Sequence, residues 1–558
     1  MANNIGFDFG TTYSVISRLK NITRKADGSI NSYELEACLP SEAAHSPCQD
    51  SIVLKNQDGS LTFGPLARRR TGRGGATVYK GFKMMLAETN EEVLKTRGYD
   101  GEYTPSRIVK EYINDVLQRH IITNNQEKID KVVIGVPEIW FSDVSTIDCR
   151  TILEDIVEQL PYVDKVELVS EPAAACAFFV ENYKQKQKKP FNGKILLVDY
   201  GGGTLDIALC DVQEKGQCSE VTVIKRCGAG LNEEGFIGKA GIAFIEAIVK
   251  LALGPSGLSV DEMISNRDFY SCVDYVEAAL MSQMKDIKDT FDFVEISDRE
   301  FITDSFDTIE FDRKDYKITY GMLAKAYNEI INPVLEEKLD EMIAYINANN
   351  IKVDKVAPVG GFCNFYLTDN QIRNKFKTGA GDTLFTDIID DRRDCEKAIS
   401  YGAALIAEDI IGFKQLSPYY LGFGRGSENE LQKAYYVINK GDDIVYDEPV
   451  FLKRDDGTEM LFAASKIPLL VFNLEDGCRE ENALWGEPLE EYQSKLLLQP
   501  LQGEQRYKLG ISLDKSMNIT LHKQKVNLKN PSEVYERSKV RLSDIYAMLG
   551  SLIETRRN

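Results

Sequence analysis

Residues 196–212 read LLVDYGGGTLDIALCDV. An apolar run leads into Asp199, then three glycines and Thr204, then a second apolar run that carries Asp206. Leu205, Ile207 and Leu209 alternate as strand residues do. Glycine lets backbone N–H groups approach anionic oxygens closely, so two strands joined this way point to a nucleotide phosphate. No Gly-Lys-Ser/Thr follows, which excludes the P-loop. A dinucleotide fingerprint would open a helix, and here a strand follows. Some other phosphate device is required.

The same grammar occurs earlier, in IGFDFGTTYSVIS at 5–17. Again an apolar strand runs into Asp8, an aromatic residue, a glycine turn with threonines and a second apolar strand. One copy would be an ordinary hairpin. Two copies, half an α/β domain apart, imply duplicated lobes that each offer a phosphate hairpin to one cleft.

The chain has 558 residues, enough for about three or four domains with sizeable cores. A hydrophobic fraction of 43% and a charged fraction of 28% are ordinary for a soluble globular protein. The net charge of −20 argues against a general nucleic-acid or anionic-membrane binder. The start, MANNIGFDFG, has no charged and apolar leader pattern, and no apolar run is long enough to span a membrane. The 11 cysteines show no C-x-x-C pair, so reduced, buried thiols of a cytoplasmic protein are expected. His45, His120 and His522 are too scattered for a histidine-based site.

Residues 1–410 alternate strand-like and helix-like patterns: Lys131–Val136 as a strand, 146–160 as a helix, 195–200 as a strand and 235–253 as a helix. Two basic stretches, RRRTGRGG at 68–75 and YKQKQKKP at 183–190, read as solvated loops. From Ser417 the texture turns to short strands. In LGISLDKSMNITLHK (509–523), Leu509, Ile511 and Leu513 form one alternating set, and Met517, Ile519 and Leu521 another, joined by a polar turn. This spacing predicts a β-sandwich over 417–526. Residues 532–553 return to helical period, with Leu542, Ile545, Tyr546, Leu549, Leu552 and Ile553 on one face and Ser532 as N-cap.

The paired hairpins resemble the phosphate motifs of the actin, sugar-kinase and heat-shock-70 superfamily. Further segments narrow the resemblance to the heat-shock protein 70 (DnaK-like) chaperones. They are VVIGVPEIWFSD (132–143), VELVSEPAAACAFF (166–179), VAPVGGFCNF (356–365), CEKAISYGAALIA (395–407) and LSPYYLGFG (416–424). The resemblance implies an α/β, two-lobed actin-like ATPase domain over 1–410 and a short linker at 411–416. A β-sandwich for peptide binding would follow over 417–526, then a short C-terminal helix within 527–558 in place of the family's helical lid.

It also implies roles. Lys83, Glu171, Asp199, Asp8 and Thr204 would be catalytic, with Lys80 the rival for the lysine. Gly10, Thr11, Thr12, Tyr13, Gly201, Gly202, Gly203 and Thr204 would cradle the phosphates of ATP or ADP. Lys285, Gly360, Gly361 and Phe362 would lie on the adenosine side. Asp8 and Asp199 would hold Mg²⁺ mostly through water, and Asp206 is a candidate ligand for K⁺. The partners implied are unfolded or extended polypeptide, a J-domain co-chaperone and a nucleotide-exchange factor, with no nucleic acid and no membrane.

The chain departs from the family pattern at several points. Phe362 and Asn364 replace the family's serine and arginine, and Ser282 stands where a glutamate is expected. The double-glycine loop reads Asn232-Glu233-Glu234-Gly235-Phe236. Ser145 or Thr146 occupies the place of the arginine that couples the domains. The main reading is therefore an ATP-dependent chaperone that hydrolyses Mg·ATP. The alternative is a divergent ATP-binding scaffold with weak ATPase activity and little client turnover. A sugar or acetate kinase, or a polymerising filament, would leave the β-rich region unexplained.

Overall fold

The two echoed motifs fold as the antiparallel hairpins that their alternating apolar residues demand. The computed structural model describes residues 3–542 and Ile545, apart from 27–29, 42, 71–75, 144–145, 217, 231–238, 266, 379–388, 390–393, 426–432, 455, 464–468, 474–483 and 487–500. The chain divides into two units, one of Met1–Ile139 with Ile156–Phe413 and one of Trp140–Asp155 with Lys414–Asn558.

In the first unit, strand Asn4–Phe9 pairs antiparallel with Tyr13–Arg24, which pairs antiparallel with Ile30–Ala37. On its other side Asn4–Phe9 takes Lys131–Val136 in parallel, and Val166–Ser170 follows in parallel. The second sheet repeats this plan. Gly193–Tyr200 pairs antiparallel with Leu205–Lys215, which pairs antiparallel with Cys218–Ala229, while Lys355–Val359 lies parallel to Gly193–Tyr200. The duplication read from two short motifs therefore extends to strand order and direction, giving a mixed α/β unit of actin-like lobes.

Two helices built from small residues join the sheets. Glu171–Gln187 starts at Ser170, whose side chain accepts the Ala173 N–H at 3.3 Å, with Pro172 in the first turn. Ala398–Ala407 is buried along its whole length. Their backbones touch: a Cβ built at Gly402 would stand 1.6 Å from the Ala174 carbonyl oxygen. A Cβ at Gly6 would stand 2.2 Å from Ala404 N, so the first hairpin also lies against this helix.

The second unit contains two antiparallel sheets. Their orders are Lys433–Ile438, Tyr420–Arg425, Leu469–Asn473, Leu484–Gly486, and Val450–Phe451, Gln505–Leu513, Ile519–Asn527, Val534–Arg541. The expected hairpin is Gln505–Leu513 with Ile519–Asn527, and both of its alternating apolar sets are buried. Within the same unit Arg150 is buried and donates to the carbonyls of Trp140 (2.9 Å) and Ser516 (2.6 Å) and to the Tyr419 hydroxyl. Glu154 accepts from Ser516 Oγ (2.8 Å), Asn518 Nδ2 (2.6 Å) and Arg541.

Some boundaries need correction. Val534–Arg541 is a strand on the hairpin, so residue 532 starts no helix and the β-rich region continues past 526. Leu542 and Ile545 are buried, whereas Tyr546, Leu549, Leu552 and Ile553 lie outside the described residues. The segment read as a linker contains strand Ile411–Gln415 at the edge of the second sheet. The helix expected at 146–160 spans Asp148–Glu158, and that expected from 235 starts at Gly241. The basic stretch at 183–190 begins within helix Glu171–Gln187, and 71–75 of the other lies outside the described residues. The described cysteines are free and mostly buried, but Cys218 is exposed.

Because the Gly402 contact is with backbone, no side-chain rearrangement relieves an added methyl. Gly402→Ala should lower the unfolding free energy by about 3 kcal/mol or more in a urea titration of the full chain. An unchanged midpoint would mean that the helices do not meet there.

Candidate functional site

The two glycine turns face each other. A Cβ on Gly202 would stand 2.4 Å from Thr12 Oγ1, and one on Gly203 would stand 2.4 Å from Thr11 Oγ1. Each turn is held in shape by its own backbone and neighbours. Gly201 N–H donates to Thr204 O at 2.9 Å, and the first residues of helix Gly241–Leu253 donate to Gly201 O (3.3 Å) and Gly202 O (2.9 Å). On the other side Ser51 Oγ donates to Gly10 O at 2.7 Å, and Ser51 N–H donates to Thr12 O at 2.8 Å. Sequence reasoning missed Ser51, since a single serine between short strands carries no signal. Tyr13 is half-buried with the Arg68 guanidinium 5.7 Å from its ring centre.

Beneath the turns the strands deliver carboxylates. Asp8 and Asp199 each stand one residue before a strand end, and Asp206 lies directly across the hairpin from Asp199. Glu171 opens the small-residue helix. Gly135, paired in register with Asp8, leaves room for it, because a Cβ there would be 3.4 Å from Glu171 Cγ. Asp8, Glu171, Asp199 and Asp206 are all buried, and so is Lys83, which donates to Glu171 Oε1 at 2.5 Å. The rival lysine is committed elsewhere: Lys80 pairs with Asp274. That pair, with Arg68 and Glu277, lines a pocket of about 70 Å³ next to Thr11 and Thr12.

The electrostatics are strained. Asp8 is raised from 3.8 to about 7, first by burial and then by the Glu171 carboxylate, against the pull of Lys83. Asp199 is driven well above the usual carboxylate range, first by burial and then by Glu171, Asp206 and Asp8. Asp206 is raised by burial, Glu171 and Glu138, against the pull of a Thr204 hydrogen bond and of Lys83. Asp199 Oδ2 and Asp206 Oδ2 are buried without a hydrogen-bond partner among the described residues. An orphaned acceptor in a carboxylate-rich pocket suits a cation. Among the described residues no group of three or more His, Cys, Asp or Glu is placed to hold a metal ion directly.

On the other flank Gly360 has φ +81°, and a Cβ there would stand 2.3 Å from Asp199 Oδ1. Only glycine lets this turn lie against the carboxylate. Gly361 is exposed and has open space around its Cα. Phe362 is half-buried in an aromatic cluster, with ring centres 5.4 Å from Tyr200, 5.2 Å from Phe244 and 5.4 Å from Phe365. Lys285 is not brought into this group. It is 84% exposed on its helix and pairs with Asp289 at 2.7 Å. Ser282 donates to the Ala279 carbonyl (3.0 Å), and residues 232–236 lie outside the described residues.

Residues 4–222 match the family model described as Hsp70 protein. The chain is 24% identical over 222 residues to the chaperone protein DnaK of Mycoplasmoides gallisepticum, an overlap of 38% of this chain and 32% of that protein. It is 28% identical over 220 residues to DnaK of Cenarchaeum symbiosum, covering 38% and 28%. The chaperone protein HscA of Buchnera aphidicola is 25% identical over 384 residues, covering 67% and 54%. The matched regions thus span between 28% and 54% of the length of these relatives.

The raised Asp8 makes a signed prediction. A carboxyl whose folded pKa of about 7 exceeds its ordinary 3.8 adds stability that is complete below 3.8 and lost as pH rises through about 7. The thermal midpoint of the metal- and nucleotide-free protein should therefore fall between about pH 5 and about pH 8, and Asp8→Asn should flatten the slope. Calorimetric scans across that window check it, and a midpoint that rises with pH would refute it.

Proposed function

The chain belongs to the heat-shock protein 70 family, and on that premise we propose that it is an ATP-dependent chaperone. In this reading Mg·ATP hydrolysis in the first unit is coupled to polypeptide binding by the β-rich second unit. The observation that carries the proposal is the Lys83–Glu171 pair, buried among Asp8, Asp199 and Asp206 below two facing glycine turns. Hydrolysis forms a bond from a water oxygen to the γ-phosphorus and breaks the bond from that phosphorus to the bridging oxygen. The proton passes to solvent, and ADP and phosphate leave. Such a reaction needs positioning and charge neutralisation more than covalent chemistry.

Gly10, Thr11, Thr12, Tyr13 and residues 201–204 would hold the phosphates through main-chain N–H groups and hydroxyls. Glu171 would orient the attacking water, with Lys83 fixing the carboxylate and meeting the γ-phosphoryl oxygens. Asp8 and Asp199 would orient the waters around Mg²⁺, and Asp206 would face K⁺. Bound there, Mg²⁺ would neutralise charge developing on the transferred group. The proposed partners are extended polypeptide, a J-domain protein and an exchange factor, and the proposed compartment is the cytoplasm. Among the described residues no helix is long and apolar enough to cross a membrane.

Steady-state ATPase assays test this reading. The wild-type rate should rise when unfolded polypeptide is added, and Lys83→Ala should lower it at least about tenfold, equivalent to about 1.4 kcal/mol on the barrier. Hydrolysis that polypeptide does not stimulate would favour a nucleotide-gated scaffold. Hydrolysis that survives Lys83→Ala would overturn the lysine assignment.

Base selectivity gives a second check. Asn364 stands where the family places a cation and Phe362, two residues earlier, offers an aromatic face instead, so discrimination should rest on an apolar contact of about 1–3 kcal/mol. Calorimetric titrations with ATP and GTP at equal Mg²⁺ should differ by less than about a thousandfold; a larger gap would count against it.

A further inference from the structure

Asp206 is held from an unexpected direction. Its Oδ1 accepts the backbone N–H of Glu138 at 2.6 Å and lies 3.4 Å from that of Ile139, at the turn after strand Lys131–Val136. Gly228 sits directly across the strand pair from Asp206, and a Cβ there would be 3.5 Å from both Asp206 Oδ1 and Ile139 N. Two residues along the same strand is Arg226, opposite Ala208, which puts its side chain on the face that carries Asp206. Arg226 Nε lies 3.5 Å from Glu138 Oε2, and the Glu138 side chain is fully buried.

A buried ion pair is an inefficient way to stabilise a fold, because desolvation cancels most of the attraction. This one also sets a second carboxylate near Asp206. Its position gives it another use. Arg226 anchors the side chain of the residue whose main chain grips Asp206 Oδ1, leaving Oδ2 buried and, among the described residues, without a hydrogen-bond partner. We propose that Glu138 and Arg226 are positioning residues for hydrolysis, fixing the turn that aims Asp206 into the phosphate site. This rests on the ATPase reading above.

The test is a mutant cycle in the full-length chain with Glu138→Gln, Arg226→Met, the Glu138→Gln/Arg226→Met pair, and Asp206→Asn. The neutral pair should fold, since replacing both partners removes the unpaired charge that a single change leaves. Its kcat should fall about tenfold or more with KM for ATP little changed, the pattern of an interaction used only at the transition state. If the pair does not fold, Glu138→Gln alone should lower kcat in the same way, and adding it to Asp206→Asn should have no further effect. A folded neutral pair with wild-type kcat, or additive Glu138→Gln and Asp206→Asn effects, would overturn the proposal and leave the ATPase reading intact. A wild-type chain that does not hydrolyse ATP would overturn both.

Discussion

A single buried ammonium, that of Lys83, stands among four buried carboxylates, Asp8, Glu171, Asp199 and Asp206. With every group ionised the cluster is three charges short of neutral, in surroundings where each unpaired charge is costly. Burial and mutual repulsion accordingly raise Asp8, Asp199 and Asp206 above the usual carboxylate range. Much of the first unit serves to bring these groups together. The two sheets each contribute aspartates beside a glycine turn, and Gly135 and Gly360 remove the side chains that would otherwise fill the space.

What was legible in the sequence was local. Alternating apolar residues around a glycine turn specify a hairpin wherever they occur, and the repeat of that pattern specified two lobes before any contact was known. The hairpin around residues 509–523 was legible for the same reason. The roles of Lys80 and Lys83 were not separable by spacing, because three residues in a short irregular stretch decide which one turns inward. Only the packed fold commits Lys80 to Asp274 and Lys83 to Glu171. Lys285 pairs instead with the aspartate four residues on along its helix, a pairing as local as any motif but directed to solvent.

The C-terminal region shows the limit from the other side. The apolar stripe that begins at Leu542 has helical period, and extending it back to Ser532 was natural. Residues 534–541 instead pair with Ile519–Asn527, a partner whose availability no local pattern reveals. The polar network of Arg150 and Glu154 was equally invisible, because its partners at Ser516, Asn518 and Arg541 lie more than 360 residues away in sequence. The buried arginine of this segment is Arg150, at 1% exposure.

The contact between Gly402 and Ala174 has a mechanical consequence. Where side chains interdigitate, two helices can slip only by climbing over ridges, and they resist rotation as well. At this crossing one backbone rests on the other with no side chain between them. Sliding along either axis would drive the methyl groups of the neighbouring alanines into main chain, while rotation about the point of touch disturbs far fewer atoms. Rotation about the point of touch is therefore less hindered at this crossing than sliding. Because Glu171 begins one of the two helices, three residues before Ala174, its backbone stands less than one helical turn along the axis from the point of touch.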